Sequence, residues 1–162
     1  MHAGVVDGLF RELPGHGVAC LRFNFRGTGS STGVHDEGGA ERLDVAAAID
    51  ELGNRWPDTM LIVGGWSFGA DVALAVDHDR HNGWFAIAPP LRVVDPAEMV
   101  APTDERPKTM AIPEHDQFNP PADAANTTGN WVNTTQHVVA GADHFLAGGL
   151  SRVVELALET CS

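Results

Sequence analysis

The stretch GGWSFGA, Gly64 to Ala70, decides how this chain should fold. It places Gly65 and Gly69 two residues on either side of Ser67. The apolar run TMLIVGG leads into it and has the length of a buried strand, and the helical pattern GADVALAV follows. A serine at an abrupt strand-to-helix turn has a strained backbone and crowded neighbours, which flanking glycines tolerate. The stretch therefore predicts a nucleophilic Ser67 on a sharp turn; the alternative is an ordinary serine in a glycine-rich loop.

Strand and helix patterns alternate through the rest of the chain. The strand-like runs are GVACLRFNF, GWFAIAPP, PKTMAIPEHD and TQHVVAGADHF, and the helical patterns are VVDGLFREL, AERLDVAAAIDELGNRW, NPPADAANTTGNW and LAGGLSRVVELALET. This alternation predicts an α/β fold, a mostly parallel sheet with helices on both faces. Such sheets bind ligands beyond the carboxyl ends of their strands, so chemically capable residues should directly follow strands.

Three residues meet that condition, in the order Ser67, Asp116, His144. A serine hydroxyl needs a neighbouring base, an imidazole can serve as that base, and a carboxylate can orient the imidazole. The same chain order is found in α/β-hydrolases. The backbone N–H of Phe68, directly after the candidate nucleophile, is the predicted first donor of an oxyanion hole. For Asp116 the alternatives are a turn-capping role and the rival acid Glu114.

Composition limits the partners and the location. The chain has 162 residues, which suits one domain over 1–162, and a net charge of −12, which argues against nucleic acid or an anionic membrane surface as partners. No apolar run is long enough to span a bilayer, no signal peptide is recognisable, and two cysteines make no disulfide framework, so we expect a cytoplasmic protein. The polar segment DHDRH, Asp77 to His81, lacks the spacing of a metal site, and we interpret it as a solvated turn.

Four separated motifs together resemble one family. LRFNFRGTGSSTG, GGWSFGADVAL, PEHDQF and GADHFLAGG look like the small, lidless bacterial α/β-hydrolases related to the dienelactone hydrolase group, usually described as predicted esterases. The resemblance covers residues 4 to 158. It implies a carboxylesterase-type serine hydrolase of small esters that needs no metal or organic cofactor, with Ser67, Asp116 and His144 as nucleophile, acid and base. Dienelactone hydrolases proper use a cysteine where this chain has Ser67.

Two further expectations concern the substrate pocket. Trp66 and Phe118 flank the predicted catalytic positions and could line an acyl pocket, although core packing is the usual role of aromatic residues. Only 16 residues separate Pro90 from Pro107, too few for a cap domain, so we expect an open site.

The resemblance also implies a strand that this sequence lacks. The family has another strand before the first helix, between the strands VACLRFNF and LIVGG, and the loop after it supplies the second oxyanion N–H. Here only Met1, His2 and Ala3 precede the helix, so we expect that strand and loop to be absent. The flanking strands must then pair directly or face a gap, which a second copy of the chain could cover. Residues near Met1 or the turn Arg26–Gly29 could replace the donor. Because that strand and loop are expected to be absent, an alternative is a non-catalytic or weakly active α/β-hydrolase relic that acts as a binding module. A second alternative is a thioesterase or a peptidase, since the same triad would serve either.

Overall fold

A four-stranded parallel sheet organises the chain. The computed structural model describes residues 4–162. The strands are β1 (Ile62–Trp66), β2 (Gly83–Ile87), β3 (Lys108–His115) and β4 (Thr134–Asp143), and they lie side by side in the order β1-β2-β3-β4. Every adjacent pair is parallel. Parallel neighbours need crossover connections, which α-helices provide from β1 to β2 and from β3 to β4, whereas a long loop with two 3₁₀ turns joins β2 to β3.

Within residues 4–162, five α-helices cover the two faces of this sheet. They are α1 (Gly4–Glu12), α2 (Glu41–Arg55), α3 (Phe68–Leu74), α4 (Pro121–Thr128) and α5 (Leu150–Thr160). Apolar side chains of α2, α3 and α4 pack on one face, and those of α1 and α5 pack on the other. The α/β fold with helices on both faces, predicted from the sequence, is confirmed. None of these helices, within residues 4–162, is long and apolar enough to cross a bilayer.

Strand β2 shows why the sheet needs both layers. Its five residues are all buried, and alternate side chains enter opposite cores: Trp84 and Ala86 pack with α2 and α3, whereas Phe85 and Ile87 pack with α5. A strand buried on both faces reads as a continuous apolar run, which is how GWFAIAPP looks in the sequence.

The run GVACLRFNF departs from its prediction. Residues 18–25 form neither a helix nor a strand of the described sheet, and β1 forms an edge of that sheet. A strand requires a neighbour to accept and donate backbone hydrogen bonds, and no described segment lies between residues 18–25 and β1 to provide one. Of the two outcomes foreseen for the flanking strands, direct pairing does not occur and a gap remains. Met1 to Ala3 lie outside the described residues.

The segment DHDRH also differs from its prediction. His81 is buried, with a 2% exposed fraction, and its ring meets the Trp84 ring edge-on at a centroid distance of 4.5 Å. The sequence predicts a solvated turn here because the segment lacks the spacing of a metal site, and one of its histidines is instead a core residue.

Candidate active site

Ser67 lies on a strained turn between β1 and α3. Its backbone has φ 53° and ψ −124°, a region that costs a non-glycine residue about 1–3 kcal/mol. The Ser67 N–H donates to the Ile87 carbonyl at 2.9 Å, which anchors the turn to the neighbouring strand β2. A methyl group added at Gly65 would collide with the backbone of Gly69 and Ala70, whereas one added at Gly69 would meet only the Phe25 ring at ordinary distance. Gly65 must therefore be a glycine because β1 and α3 approach each other closely there, whereas no contact requires a glycine at Gly69.

The structure brings Ser67, Asp116 and His144 into one hydrogen-bonded chain. His144 Nδ1 lies 2.9 Å from Asp116 Oδ2, and His144 Nε2 lies 2.9 Å from Ser67 Oγ. An ionised carboxylate only accepts hydrogen bonds, so Nδ1 carries the proton and donates it. The neutral Nε2 is then left as an acceptor for the Ser67 hydroxyl. This tautomer is the one that a base acting on serine requires.

Burial holds the imidazole and the carboxylate in place. Asp116 and His144 are 3% and 4% exposed, whereas Ser67 is half-buried and accessible. Asp116 Oδ1 also accepts the backbone N–H groups of Phe118 at 2.8 Å and Asn119 at 3.2 Å. The Asn119 side chain in turn donates to the Pro89 carbonyl at 2.8 Å, which ties the loop after β3 to the loop after β2. Asp116 therefore has the turn-capping role and the contact to His144 at the same time. Asn119 helps to hold the loop that carries Asp116, and the sequence pattern did not indicate this.

Three aromatic rings surround His144. The Phe118 ring meets the imidazole edge-on at a centroid distance of 4.5 Å, and the Phe145 ring does so at 5.6 Å. Trp66 lies at 5.5 Å and donates its indole N–H to the His144 carbonyl at 3.0 Å. Trp66 thus has a definite role in positioning the histidine backbone. Phe145, which is 60% exposed, was missed by the sequence reasoning, although it directly follows His144.

The backbone N–H of Phe68 is free to receive a ligand, because it has no hydrogen-bond partner among residues 4–162. The turn Arg26–Gly29 has few free N–H groups that could act as a second donor beside it. The Arg26 N–H donates to Asp44, the Gly27 N–H to the Thr32 carbonyl, and the Thr28 N–H to the Phe25 carbonyl. Three of the four amides of that turn are therefore already engaged, and the other suggested source, near Met1, lies outside the described residues.

Glu114, the alternative acid, and Asp143, which directly precedes His144, accept backbone N–H groups. Glu114 accepts the Gly141 N–H at 2.7 Å, and it is exposed. Asp143 accepts the N–H groups of Phe145 and Ala147 in the turn after β4. The carboxylate that contacts His144 is Asp116 in this structure.

Asp71 is a further residue that the sequence did not reveal. It is fully buried on α3 and accepts three backbone N–H groups, from Leu91 at 3.0 Å, Arg92 at 3.0 Å and Val93 at 2.9 Å. Desolvation by burial raises the pKa of its carboxyl group, and the three N–H groups oppose that effect. The bonds fix the loop after β2, whose Arg92 lies over the Phe118 ring, 5.7 Å from its centroid.

The family of the chain follows from comparison of its sequence with known families. Residues 1–150 match the family described as serine aminopeptidase, S33. The chain belongs to that family. Its fold agrees with the match, since solved structures of α/β serine hydrolases are similar to it over nearly the whole chain, and the chain has the α/β-hydrolase fold.

Solved structures similar to this one include an α/β serine hydrolase homologue from Coxiella burnetii and an α/β serine hydrolase without a lid from Xanthomonas campestris. The first has a TM-score of 0.83 and 26% identity, and the match covers 100% of this chain and 78% of that one. The second has a TM-score of 0.81 and 25% identity, with 99% and 73% covered. These structures confirm the resemblance to small, lidless α/β-hydrolases.

A curated relative is an uncharacterized protein from Rickettsia prowazekii. It is 36% identical over 97 residues, which are 58% of this chain. The matched part spans 41% of that protein's length.

Cavities of about 580 and 500 Å³ open elsewhere on the described surface, and neither is lined by Ser67, Asp116 or His144. Between β2 and β3 the chain forms only two short 3₁₀ turns, Pro96–Glu98 and Ala101–Thr103.

Proposed function

We propose that the chain is a serine hydrolase that cleaves small carboxylic esters through an acyl-enzyme intermediate. The observation that carries this proposal is the pair of 2.9 Å contacts that join Ser67 to His144 and His144 to Asp116. Nucleophile, base and orienting carboxylate are each within hydrogen-bond reach of the next, as nucleophilic catalysis requires.

The geometry supports the following steps. His144 Nε2 takes the hydroxyl proton while Ser67 Oγ bonds to the ester carbonyl carbon, and the Phe68 N–H donates to the oxygen that becomes negative. The tetrahedral intermediate collapses when His144 returns the proton to the leaving alkoxide oxygen. A water molecule then attacks the acyl carbon and gives one proton to His144. His144 returns that proton to Ser67 Oγ as the acyl–serine bond breaks, which releases the acid and restores the Ser67 hydroxyl. Asp116 stays ionised throughout and stabilises the imidazolium.

Esters are the proposed substrate class because, within residues 4–162, the Phe68 N–H is a free oxyanion donor and the turn Arg26–Gly29 has few free amides to supply a second. Loss of one donor typically lowers the rate about 100- to 1,000-fold. An alkoxide leaves more readily than an amine, so an ester tolerates that loss better than a peptide bond. The absence of any long insertion between β2 and β3 favours small or surface-presented acyl groups at an open site.

A fluorophosphonate probe tests the proposal, because it reacts covalently with an activated serine. The wild type and Ser151→Ala, a control at an exposed serine on α5, should be labelled, and Ser67→Ala should not. The wild type should also hydrolyse p-nitrophenyl acetate. An unlabelled wild type would contradict the proposal and favour the non-catalytic binding module.

An aminopeptidase is the second candidate, and the description of the matched family favours it. The same triad would serve, with an amine as the leaving group. Alanine p-nitroanilide and p-nitrophenyl acetate, compared on the same preparation, separate the two. Turnover of the anilide at a rate equal to or above that of the ester would replace the esterase proposal with the peptidase.

A further inference from the structure

Arg92 is the one arginine in residues 4–162 whose guanidinium has no hydrogen-bond acceptor. Each of the other arginines donates to a carboxylate, an amide oxygen or a backbone carbonyl, and Lys108 donates to the Asp104 carbonyl. The chain has 22 acidic residues and only 10 lysines and arginines, so an arginine without a partner is unexpected in it. The free N–H groups of Arg92 can therefore receive an anion from outside the chain.

The Arg92 guanidinium lies beside the triad. Its carbon atom is 5.7 Å from the centroid of the Phe118 ring, and that ring meets the His144 imidazole at a centroid distance of 4.5 Å. Arg92 and Phe118 are both exposed, so a bound molecule can reach them. The attraction between a guanidinium and an aromatic face holds the charge there and leaves its N–H donors unused. One aromatic ring thus separates a free positive charge from the base that contacts Ser67.

The backbone that carries Arg92 is fixed in advance. The buried Asp71 carboxylate accepts the N–H groups of residues 91–93 at 2.9 to 3.0 Å. In the same loop, Ala88 and Leu91 have φ of 46° and 52°, a region that residues other than glycine rarely adopt. Such strain persists only where the surroundings hold it, and it clusters at ligand-binding sites. The loop follows β2 at the carboxyl edge of the sheet, where parallel sheets bind ligands.

Arg92 also lines a cavity of about 580 Å³ that is unsuitable for an anion. Three carboxylates line this cavity, those of Glu37, Asp95 and Glu98. Arg42 lines it as well and donates to Glu98 at 3.4 Å, which leaves an excess of negative charge. Because like charges repel, an anion that pairs with Arg92 approaches from the side of Phe118 and the triad.

We propose that Arg92 binds a carboxylate group of the substrate, so that the preferred esters carry one negative charge apart from the bond that is cleaved. This inference rests on the proposed function, because it specifies the substrate of the same site. A planar guanidinium can form two parallel hydrogen bonds with a carboxylate. A phosphate group carries a charge of about −1.5 to −2 and would need a second cation, which the described residues around Phe118 do not offer.

Two pairs of esters test the inference on the protein of residues 1–162. In each pair a carboxylate is compared with the neutral carboxamide of nearly the same shape. The first pair carries this group on the acyl side and consists of the mono-p-nitrophenyl esters of adipic acid and of adipic acid monoamide. The second pair carries it on the alcohol side and consists of the acetyl esters of 4-hydroxyphenylacetate and of its amide. The value of kcat/KM is measured for all four esters.

The measurements are made on the wild type, on Arg92→Gln and on Arg55→Gln as the matched control. Arg55 is an exposed arginine at the end of α2, and α2 leads into the start of β1. The control therefore makes the same charge change at the opposite edge of the sheet from the triad. We expect the wild type and Arg55→Gln to prefer the carboxylate at least about fivefold in one of the pairs, and Arg92→Gln to lose that preference. The pair that shows the preference identifies the part of the ester that carries the charge.

Two results would overturn the inference. One is a wild type whose kcat/KM values agree within about twofold in both pairs, and the other is a carboxylate preference that Arg92→Gln retains. Because both esters of a pair are compared on the same protein, a poorly folded variant loses activity on both and keeps its ratio.

Failure of the proposed function has a different signature, since no ester of either pair would then be hydrolysed. In that case, binding of monomethyl adipate to the wild type and to Arg92→Gln, measured by isothermal titration calorimetry, decides the inference. Weaker binding to Arg92→Gln would support the inference, and equal affinity would overturn it.

Discussion

Replacing Gly65 with alanine should separate β1 from α3 and misplace Ser67. The new methyl group would lie 2.6 Å from the Ala70 nitrogen and closer still to the Gly69 carbonyl. Real Cβ atoms essentially never approach other atoms within 3.0 Å. Both obstacles are backbone, so no side-chain rotation relieves them.

The structure gives the size of the effect. The start of α3 must retreat from β1 by up to about 1 Å to clear the Gly69 carbonyl. Overpacking of this kind destabilises by about 1–3 kcal/mol, and for a chain of 162 residues each kcal/mol lowers Tm by about 2–4 °C. A misplacement of 1 Å at a reacting group lowers the rate about 100-fold. Gly65→Ala should therefore melt several degrees lower and react about 100-fold more slowly with a fluorophosphonate.

Gly64→Ala is the matched control, because it adds the same methyl group one residue earlier, where there is space. It should stay within about 1 kcal/mol of the wild type. Thermal unfolding followed by circular dichroism and the second-order labelling rate are measured on all three proteins. If Gly65→Ala matches Gly64→Ala in both, the close approach of β1 to α3 does not position Ser67, and the argument from the elbow is wrong.

Three further predictions concern buried polar groups. Asp116→Asn should lower kcat for p-nitrophenyl acetate by about 10⁴-fold with little change in Tm, because an amide does not stabilise the His144 imidazolium; a loss under tenfold would remove Asp116 from the mechanism. Asp71→Asn should lower the free energy of unfolding in urea by about 3 kcal/mol or more, because an amide oxygen cannot accept all three N–H groups of residues 91–93, and an unchanged midpoint would contradict this. Burial lowers the pKa of His81 to about 4, below the ordinary value of 6.5 that the unfolded chain keeps. As the pH falls, the unfolded chain therefore binds a proton at His81 before the folded chain does. The free energy of unfolding should fall by up to about 3 kcal/mol as the pH drops from 6.5 to 4, and His81→Leu should not show this fall.

Local sequence patterns predicted most of the elements, because their apolar spacing reports directly on burial. All five α-helices and the strands β1 to β4 lie where the alternation of patterns placed them. The candidate triad was predicted by the same logic: residues that follow parallel strands meet at one edge of the sheet, and Ser67, Asp116 and His144 do meet there.

Long-range features escaped that reasoning, because they depend on which segments become neighbours. GVACLRFNF has the composition of a strand, yet residues 18–25 form none, since pairing needs a second segment at the correct distance. Asp71 looks like any polar residue on a helix until the loop at residues 91–93 folds over it.

The sequence by itself therefore determined the α/β class, the elbow at Ser67 and the order of the candidate catalytic residues, because these follow from local periodicity and from the topology that it imposes. Only the tertiary structure decided that Gly65, and not Gly69, is required by contact, and that three amides of the turn Arg26–Gly29 are already engaged. Each of these depends on distances between backbone atoms far apart in the chain, which no local pattern encodes.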